Sequence, residues 1–282
     1  MPDPNQEQIA DWNGVLGQRW ADFQREIDGI VKPFGDAALK VANPQAGERV
    51  LDVGCGCGDT SIELAVRVGP NGSVLGVDVS QPMLQVARAR AGLAGLGQLA
   101  FREADASAAE LPPATDLLFS RFGVMFFDQP APALRHLRLS LRAGGRCVFV
   151  CWRAPRDNSW AMTPVVAARQ ALGITPPPMD PNAPGPFAFA DETRLRGLLA
   201  DAGFGNVELQ RCDAPVSMGT TPRLAAENAA RLGPVSRLVR EVGAEHLPVI
   251  VEAIERVLTP LAAADGAVHL NGSTWVVSAV NP

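Results

Sequence analysis

Val50-Leu51-Asp52-Val53-Gly54-Cys55-Gly56-Cys57-Gly58-Asp59-Thr60 is the stretch whose reading decides how this chain folds. An apolar run of strand character meets three alternating glycines and then a helical pattern, so a buried strand turns through a glycine loop into a helix. Glycines at such a turn let the backbone approach a ligand where side chains would block it. The spacing departs from the G-x-G-x-x-G of dinucleotide sites, because Asp59 stands at the third position. No Gly-Lys-Ser/Thr follows to make a phosphate loop. Asp52, at the end of the strand, would repel a pyrophosphate and suits a ligand that carries an ammonium group.

Outward from this loop, residues 47 to 151 alternate β-rich with helical runs. Strands are expected at Arg49 to Val53, Ser73 to Val79, Leu99 to Glu103, Asp116 to Phe119 and Arg146 to Cys151, which makes a parallel, doubly wound α/β sheet. Ser80 and Pro82 start a helix through Ala91. Between Pro130 and Arg142 the leucines 134, 137 and 141 share one face, and Gly144-Gly145 supply the stop. Two short amphipathic helices are expected over residues 5 to 42. Prolines 176, 177, 178, 181, 184 and 186 make residues 154 to 190 a loop or lid around one short helix at 162 to 172. A helix over Asp191 to Ala202, a strand over Asn206 to Cys212, helical residues 222 to 264 and a last strand over Ser273 to Val280 complete the pattern.

The 282 residues are 47% apolar and 20% charged, with a net charge of −5, so disordered, fibrous and nucleic-acid-tracking classes are poor fits. Tyrosine is absent and there are three histidines, which limits the proton carriers. Five cysteines in a long chain, several in strand-like runs, argue against a disulfide framework, and no apolar run reaches the length of a membrane span. With a polar, acidic N-terminus, the expectation is a reduced, cytoplasmic protein. Cys55 and Cys57 read as small packing residues rather than a metal pair, and no metal is expected.

Two more acids stand at the ends of successive strands. Asp78 lies twenty-four residues after Gly54, where a carboxylate can accept both hydroxyls of a ribose. Asp105 follows the third strand, placed to accept from an adenine amino group. An ammonium, a ribose and an adenine partner in consecutive positions describe one molecule, S-adenosylmethionine. Residues 48 to 151 resemble the class I S-adenosylmethionine-dependent methyltransferases, Glu48 to Gly58 looking like their first motif, and among them the ubiquinone and menaquinone C-methylating enzymes. That resemblance implies a mostly parallel, seven-stranded Rossmann-like sheet whose last strand, Trp275 to Val280, is antiparallel. It also implies a cofactor site made of Asp52, Gly54, Cys55, Gly56, Gly58, Thr60, Asp78, Val79, Met83, Asp105, Ala106, Ser120 and Trp20, with S-adenosylhomocysteine as product.

Ligands of a doubly wound sheet lie beyond the carboxyl ends of its strands, so Arg121, Phe122, Met125 and Trp152 are candidates to meet an acceptor. Trp12 and Gln18, on the N-terminal helices, and Trp160 would close the pocket. An apolar wall with one cation suits a hydrophobic or aromatic small molecule with an anionic group, methylated on O, N, S or C. Three parts are expected: an N-terminal helical cover at 1–46, a cofactor domain at 47–212 and 268–282, and a helical insertion at 213–267 that is a substrate cap or a dimer face. His136 falls off the apolar face of its helix and reads as a surface residue, so no catalytic base is assigned. Two other readings share the cofactor half: an S-adenosylmethionine-binding protein that does not methylate, and an NAD-dependent oxidoreductase, which Asp52 and the shifted third glycine oppose.

Overall fold

The structure, a computed structural model, describes residues 5–175 and 180–282. Three helices open the chain: α1 (Gln6–Asn13), α2 (Val15–Asp22) and α3 (Gln24–Ala42). Then β1 (Arg49–Val53), α4 (Asp59–Val68), β2 (Ser73–Asp78), α5 (Gln81–Ala94), β3 (Leu99–Glu103), β4 (Thr115–Arg121), α6 (Pro130–Ser140) and β5 (Leu141–Trp152) follow. The remaining elements are α7 (Ser159–Leu172), α8 (Glu192–Asp201), β6 (Gly205–Gly219), α9 (Pro222–Arg231), α10 (Pro234–Val242), α11 (Leu247–Leu258) and β7 (Val268–Val280).

The seven strands form one sheet in the order β3-β2-β1-β4-β5-β7-β6. β1 pairs in parallel with β2 and β4, β2 with β3, and β4 with β5, while β7 runs antiparallel to β5 from Trp152↔Thr274 to Arg146↔Val280. The seven-stranded, mostly parallel sheet is therefore as expected. The order reverses between β1 and β4, where helices on the two faces diverge and leave a crevice at the strands' carboxyl ends. Leu51, Leu117, Leu118, Phe119, Phe149 and Val150 are fully excluded from solvent, so the sheet's centre is the core. Continuous apolar runs of this kind suit strands covered on both faces.

Several boundaries differ from the expectation, each for a tertiary reason. Gly144-Gly145 do not stop α6; they lie within β5, and the helix ends earlier, at Ser140. Asn281, far along the chain, holds that segment extended. Its Nδ2 donates to the carbonyls of Leu141 and Arg142, its backbone N–H to Gly145 O, and Gly144 N–H donates to its carbonyl. Residues 5–42 make three helices rather than two, because Gly14 is extended and Phe23 interrupts the second from the third. The lid helix starts three residues early, at Ser159, and β6 and β7 run longer than expected. Pro176, Pro177 and Pro178 lie outside the described residues.

The chain divides into two compact units. The first holds the described residues of Met1–Trp152, Asn182–Cys212 and Thr274–Pro282, and the second those of Arg153–Pro181 and Asp213–Ser273. Helices α9, α10 and α11 thus share a unit with α7. In this second unit α7, α9 and α11 bury Ala161, Val165, Ala226, Ile250 and Ile254, and Asn158 ties its edge by bonds with Arg153, Ala154 and Ser273. Among the described residues no helix is long and apolar enough to cross a membrane.

Candidate active site

The candidate site is built at the carboxyl ends of β1, β2 and β3. β1 delivers Asp52 with no exposed surface. One carboxylate oxygen accepts from Ser61 Oγ at 2.6 Å and Thr60 Oγ1 at 2.8 Å, both in the first turn of α4. The other oxygen, Oδ1, is buried and has no hydrogen-bond partner. Burial pushes the carboxyl up to about 6, against the two hydroxyl bonds and the Arg121 charge, which favour the ionised form. A buried, half-satisfied carboxylate is costly to the free protein and is the kind of group that a cationic ligand repays.

The loop after it needs its glycines. Gly54 has φ +68° and stands so close to Gly123 that a Cβ would lie 2.7 Å from its Cα; Gly56 has φ +55°, and a Cβ there would meet Met83 Cε at 2.8 Å. Gly54 and Cys55 N–H both donate to Val77 O, which welds the loop to β2. Cys55 is buried and its thiol is pushed well up, first by burial; the same cause lifts Cys57 to about 12. Neither is a thiolate, and among the described residues no three His, Cys, Asp or Glu side chains cluster as metal ligands.

Asp78, at the end of β2, is fixed by Gly56 N–H and Ser80 N–H, each at 2.8 Å on a different oxygen. Burial raises its pKa and these amides oppose the rise. Met83 is buried beside Gly56, and Val79 is half-buried. Asp105, beyond β3, accepts from Ser107 N–H at 2.9 Å and from the Asn5 side chain, with Ala106 buried next to it. The N-terminal helices lie against the same strand ends: Ser80 Oγ donates to Trp12 O at 2.6 Å, and Cys57 Sγ contacts Trp20 O at 3.8 Å. Trp12 packs edge-on against both Trp20 and Phe126.

Other expected site residues are spent within the fold. Thr60 uses its hydroxyl to hold Asp52, and Ser120 donates to Val53 O at 2.7 Å while accepting from Gly123 N–H, so it clamps β4 to β1. Gln18 is exposed and pairs with Asp22 one turn along its helix. Arg121 is not free to meet an anionic acceptor. It bonds Asp28 at 3.1 Å and Asp59 at 2.9 Å, and Arg90 bonds the same two carboxylates, which closes a ring of four charges. Arg90 also donates to Cys57 O at 2.8 Å, so the ring braces the glycine loop. Phe122 and Trp152 stack with centroids 4.4 Å apart, Phe34 meets both edge-on, and Met125 is buried: these are core contacts. Phe122 holds φ +60°, a strained value for a bulky residue, at the end of β4. Trp160 lies in the second unit, where its Nε1 donates to Asn158.

His136 Nε2 pairs with Ala109 O at 2.8 Å, His269 is exposed and His246 sits beside Glu245 in the second unit. Sequence reading missed Ser61, which follows Thr60 and was legible, and Asn5, Asp28 and Arg90, whose partners on other elements lie 31 to 123 positions away and left no local signal.

Residues 50–145 match the model of a methyltransferase domain family. The demethylmenaquinone methyltransferase of Thermus thermophilus is 31% identical over 176 residues, 59% of this chain and 79% of the relative. The chain belongs to the class I S-adenosylmethionine-dependent methyltransferases. The nocamycin O-methyltransferase of Saccharothrix syringae is 31% identical over 60% of this chain and 65% of its own length. For the aklanonic acid methyltransferase of Streptomyces sp. strain C5 the figures are 34%, 42% and 54%, so the chain spans less than two thirds of both. The crystal structure of the Bacillus YcgJ protein superposes with a TM-score of 0.58 at 18% identity, over 87% of this chain and 97% of that chain, a likeness of fold.

Proposed function

We propose that this methyltransferase moves the methyl group of S-adenosylmethionine to a small organic acceptor of hydrophobic or aromatic character. One observation carries the reading: a fully buried Asp52 with an unpartnered oxygen. Two further carboxylates follow along the sheet, Asp78 at the end of β2 and Asp105 just past the end of β3. In this reading Asp52 faces the methionine ammonium, and the backbone of Gly54, Cys55, Gly56 and Gly58 lies along the methionine part. Asp78 accepts the ribose hydroxyls, Val79 and Met83 flank the adenine, and Asp105 with Ala106 reads its edge. The residues fit such a ligand: a cation satisfies the orphaned oxygen, and Gly54 and Gly56 hold the positive-φ turn against Gly123 and Met83, where a Cβ would clash, so that backbone faces the strand ends.

Bound S-adenosylmethionine supplies an electrophilic methyl group whose leaving group is a neutral thioether, so the protein's work is alignment and exclusion of water. Asp78 is pre-oriented by two backbone amides, Asp52 by two hydroxyls, and the Trp12–Trp20 pair on α1 and α2 covers the strand ends. The reading assigns no general base. The relatives are named for nocamycin, aklanonic acid and demethylmenaquinone, and this supports the small-molecule part of the proposal.

Calorimetric titration with S-adenosylmethionine and S-adenosylhomocysteine, with NAD as control, tests the cofactor. Binding of the sulfur compounds alone is expected. A panel of aromatic and quinone-like acceptors, scored by release of S-adenosylhomocysteine, then tests the reaction. Tight cofactor binding with no turnover across the panel would favour a non-methylating protein.

A further inference from the structure

Asn5 stands at the N-cap position of α1, where an asparagine ordinarily bonds the first turn of its own helix. Here it makes no such bond. Its side chain, on a residue only 8% exposed, reaches instead to two distant loops. Nδ2 donates to both oxygens of Asp105, at 3.2 and 3.0 Å, and to Ser107 Oγ at 2.8 Å, while Oδ1 accepts from Asp128 N–H at 2.6 Å. Every polar atom of the carboxamide is used. At the other end of α1, Asn13 repeats the device just beyond β2: Nδ2 donates to Val79 O at 2.8 Å and Oδ1 accepts from Gln81 N–H at 3.0 Å. The eight-residue helix is thus bolted at one end to the loop after β3 and at the other to the loop after β2.

We infer that Asn5 is a positioning residue for recognition of the adenine: its carboxamide sets the Asp105 carboxylate for the exocyclic amino group and bolts α1 across the adenosine site. This rests on the assignment of Asp105 to adenine made above. Asp105 Oδ1 already takes two donors, Ser107 N–H and Asn5, whereas Oδ2 takes one, which leaves an oriented lone pair for a further N–H. A 6-oxo base would set acceptor against acceptor there, and a site built to accept a hydrogen bond rejects such an analogue strongly. Discrimination depends on the carboxylate being held in that rotation, and Asn5 holds it.

The experiment uses the full chain and two ligands, S-adenosylhomocysteine and its 6-oxo analogue S-inosylhomocysteine, titrated calorimetrically. Asn5→Gly is the informative variant, because Asn5 has φ +68°, which glycine adopts without strain. Wild type is expected to prefer the adenosyl ligand. Asn5→Gly should weaken that ligand about tenfold more than it weakens the oxo analogue, as for a lost bond to a charged group added to the loosened strap that both ligands feel. Asn5→Asp, which opposes two carboxylates, should give the same collapse of preference. Asn13→Ala should weaken both ligands alike, since it frees the strap without touching Asp105. Equal weakening of both ligands in Asn5→Gly would overturn the inference by showing a strap alone, and tighter adenosyl binding would overturn it by showing a plug. Absence of any preference in wild type, unaltered in Asp105→Asn, would overturn the adenine assignment and the inference with it.

Discussion

The carboxyl ends of β1, β2 and β3 and those of β4 and β5 lie side by side in one sheet and both carry charged and aromatic residues, yet they handle them in opposite ways. On the first side Asp52 keeps one oxygen without a partner, and Asp78 and Asp105 retain lone pairs beyond their backbone bonds. On the second, Arg121 is bound by two carboxylates, Ser120 is committed to backbone at both ends, and Phe122 and Trp152 face each other. A charge at a strand end is therefore no sign of a ligand in itself. What separates a ligand group from a scaffold group is the account of its partners, since an unspent buried acceptor costs free energy until something binds it.

The contrast breaks most visibly at Arg121. Arg121→Ala strands Asp28 and Asp59 with Arg90 alone in a partly buried ring, and the expected cost is about 3 kcal/mol of stability by urea unfolding. Unchanged stability with a raised KM for an acceptor would return this arginine to the substrate. A smaller effect is expected at Asp78→Ala, which should cost about 2 kcal/mol in calorimetric affinity for S-adenosylhomocysteine. Unaltered affinity there would remove the ribose assignment.

Asp52 sharpens the comparison through pH. Its carboxyl titrates near 6 in the free protein, above the ordinary 3.8, so the protonated form favours the fold. That contribution to stability is present below about pH 3.8 and is lost as pH rises through about 6. A cationic ligand demands the ionised form. Affinity for S-adenosylmethionine should thus fall about tenfold between roughly pH 7.5 and pH 5, with proton release on binding, and Asp52→Asn should flatten the profile. The smallest effect belongs to His136, half-buried on α6 and bonded to Ala109 O; His136→Ala should cost about 1 kcal/mol of stability, by the loss of that bond, and leave kcat unaltered.

The legible parts of the site were those written in consecutive residues. The strand from Val50 to Val53, the glycines after it and the acids ending β2 and β3 each show themselves within about ten positions, because strand periodicity, turn chemistry and burial are local demands. Gly144-Gly145 mark the limit of that logic. They read as a helix stop, and became strand because Asn281 supplies hydrogen bonds that no neighbour in sequence announces.

By itself the sequence determined the parallel sheet, the glycine loop and the row of three carboxylates, since each follows from short-range patterning on one backbone segment. The tertiary structure alone decided which charges are spent and which are free. It closed Arg121 into a ring with Asp28, Asp59 and Arg90, left Oδ1 of Asp52 unpartnered, and carried Asn5 to Asp105 across 100 residues. Pairing of that kind depends on where separate elements come to rest in space, and a hydrogen bond leaves no periodicity in the chain between its partners.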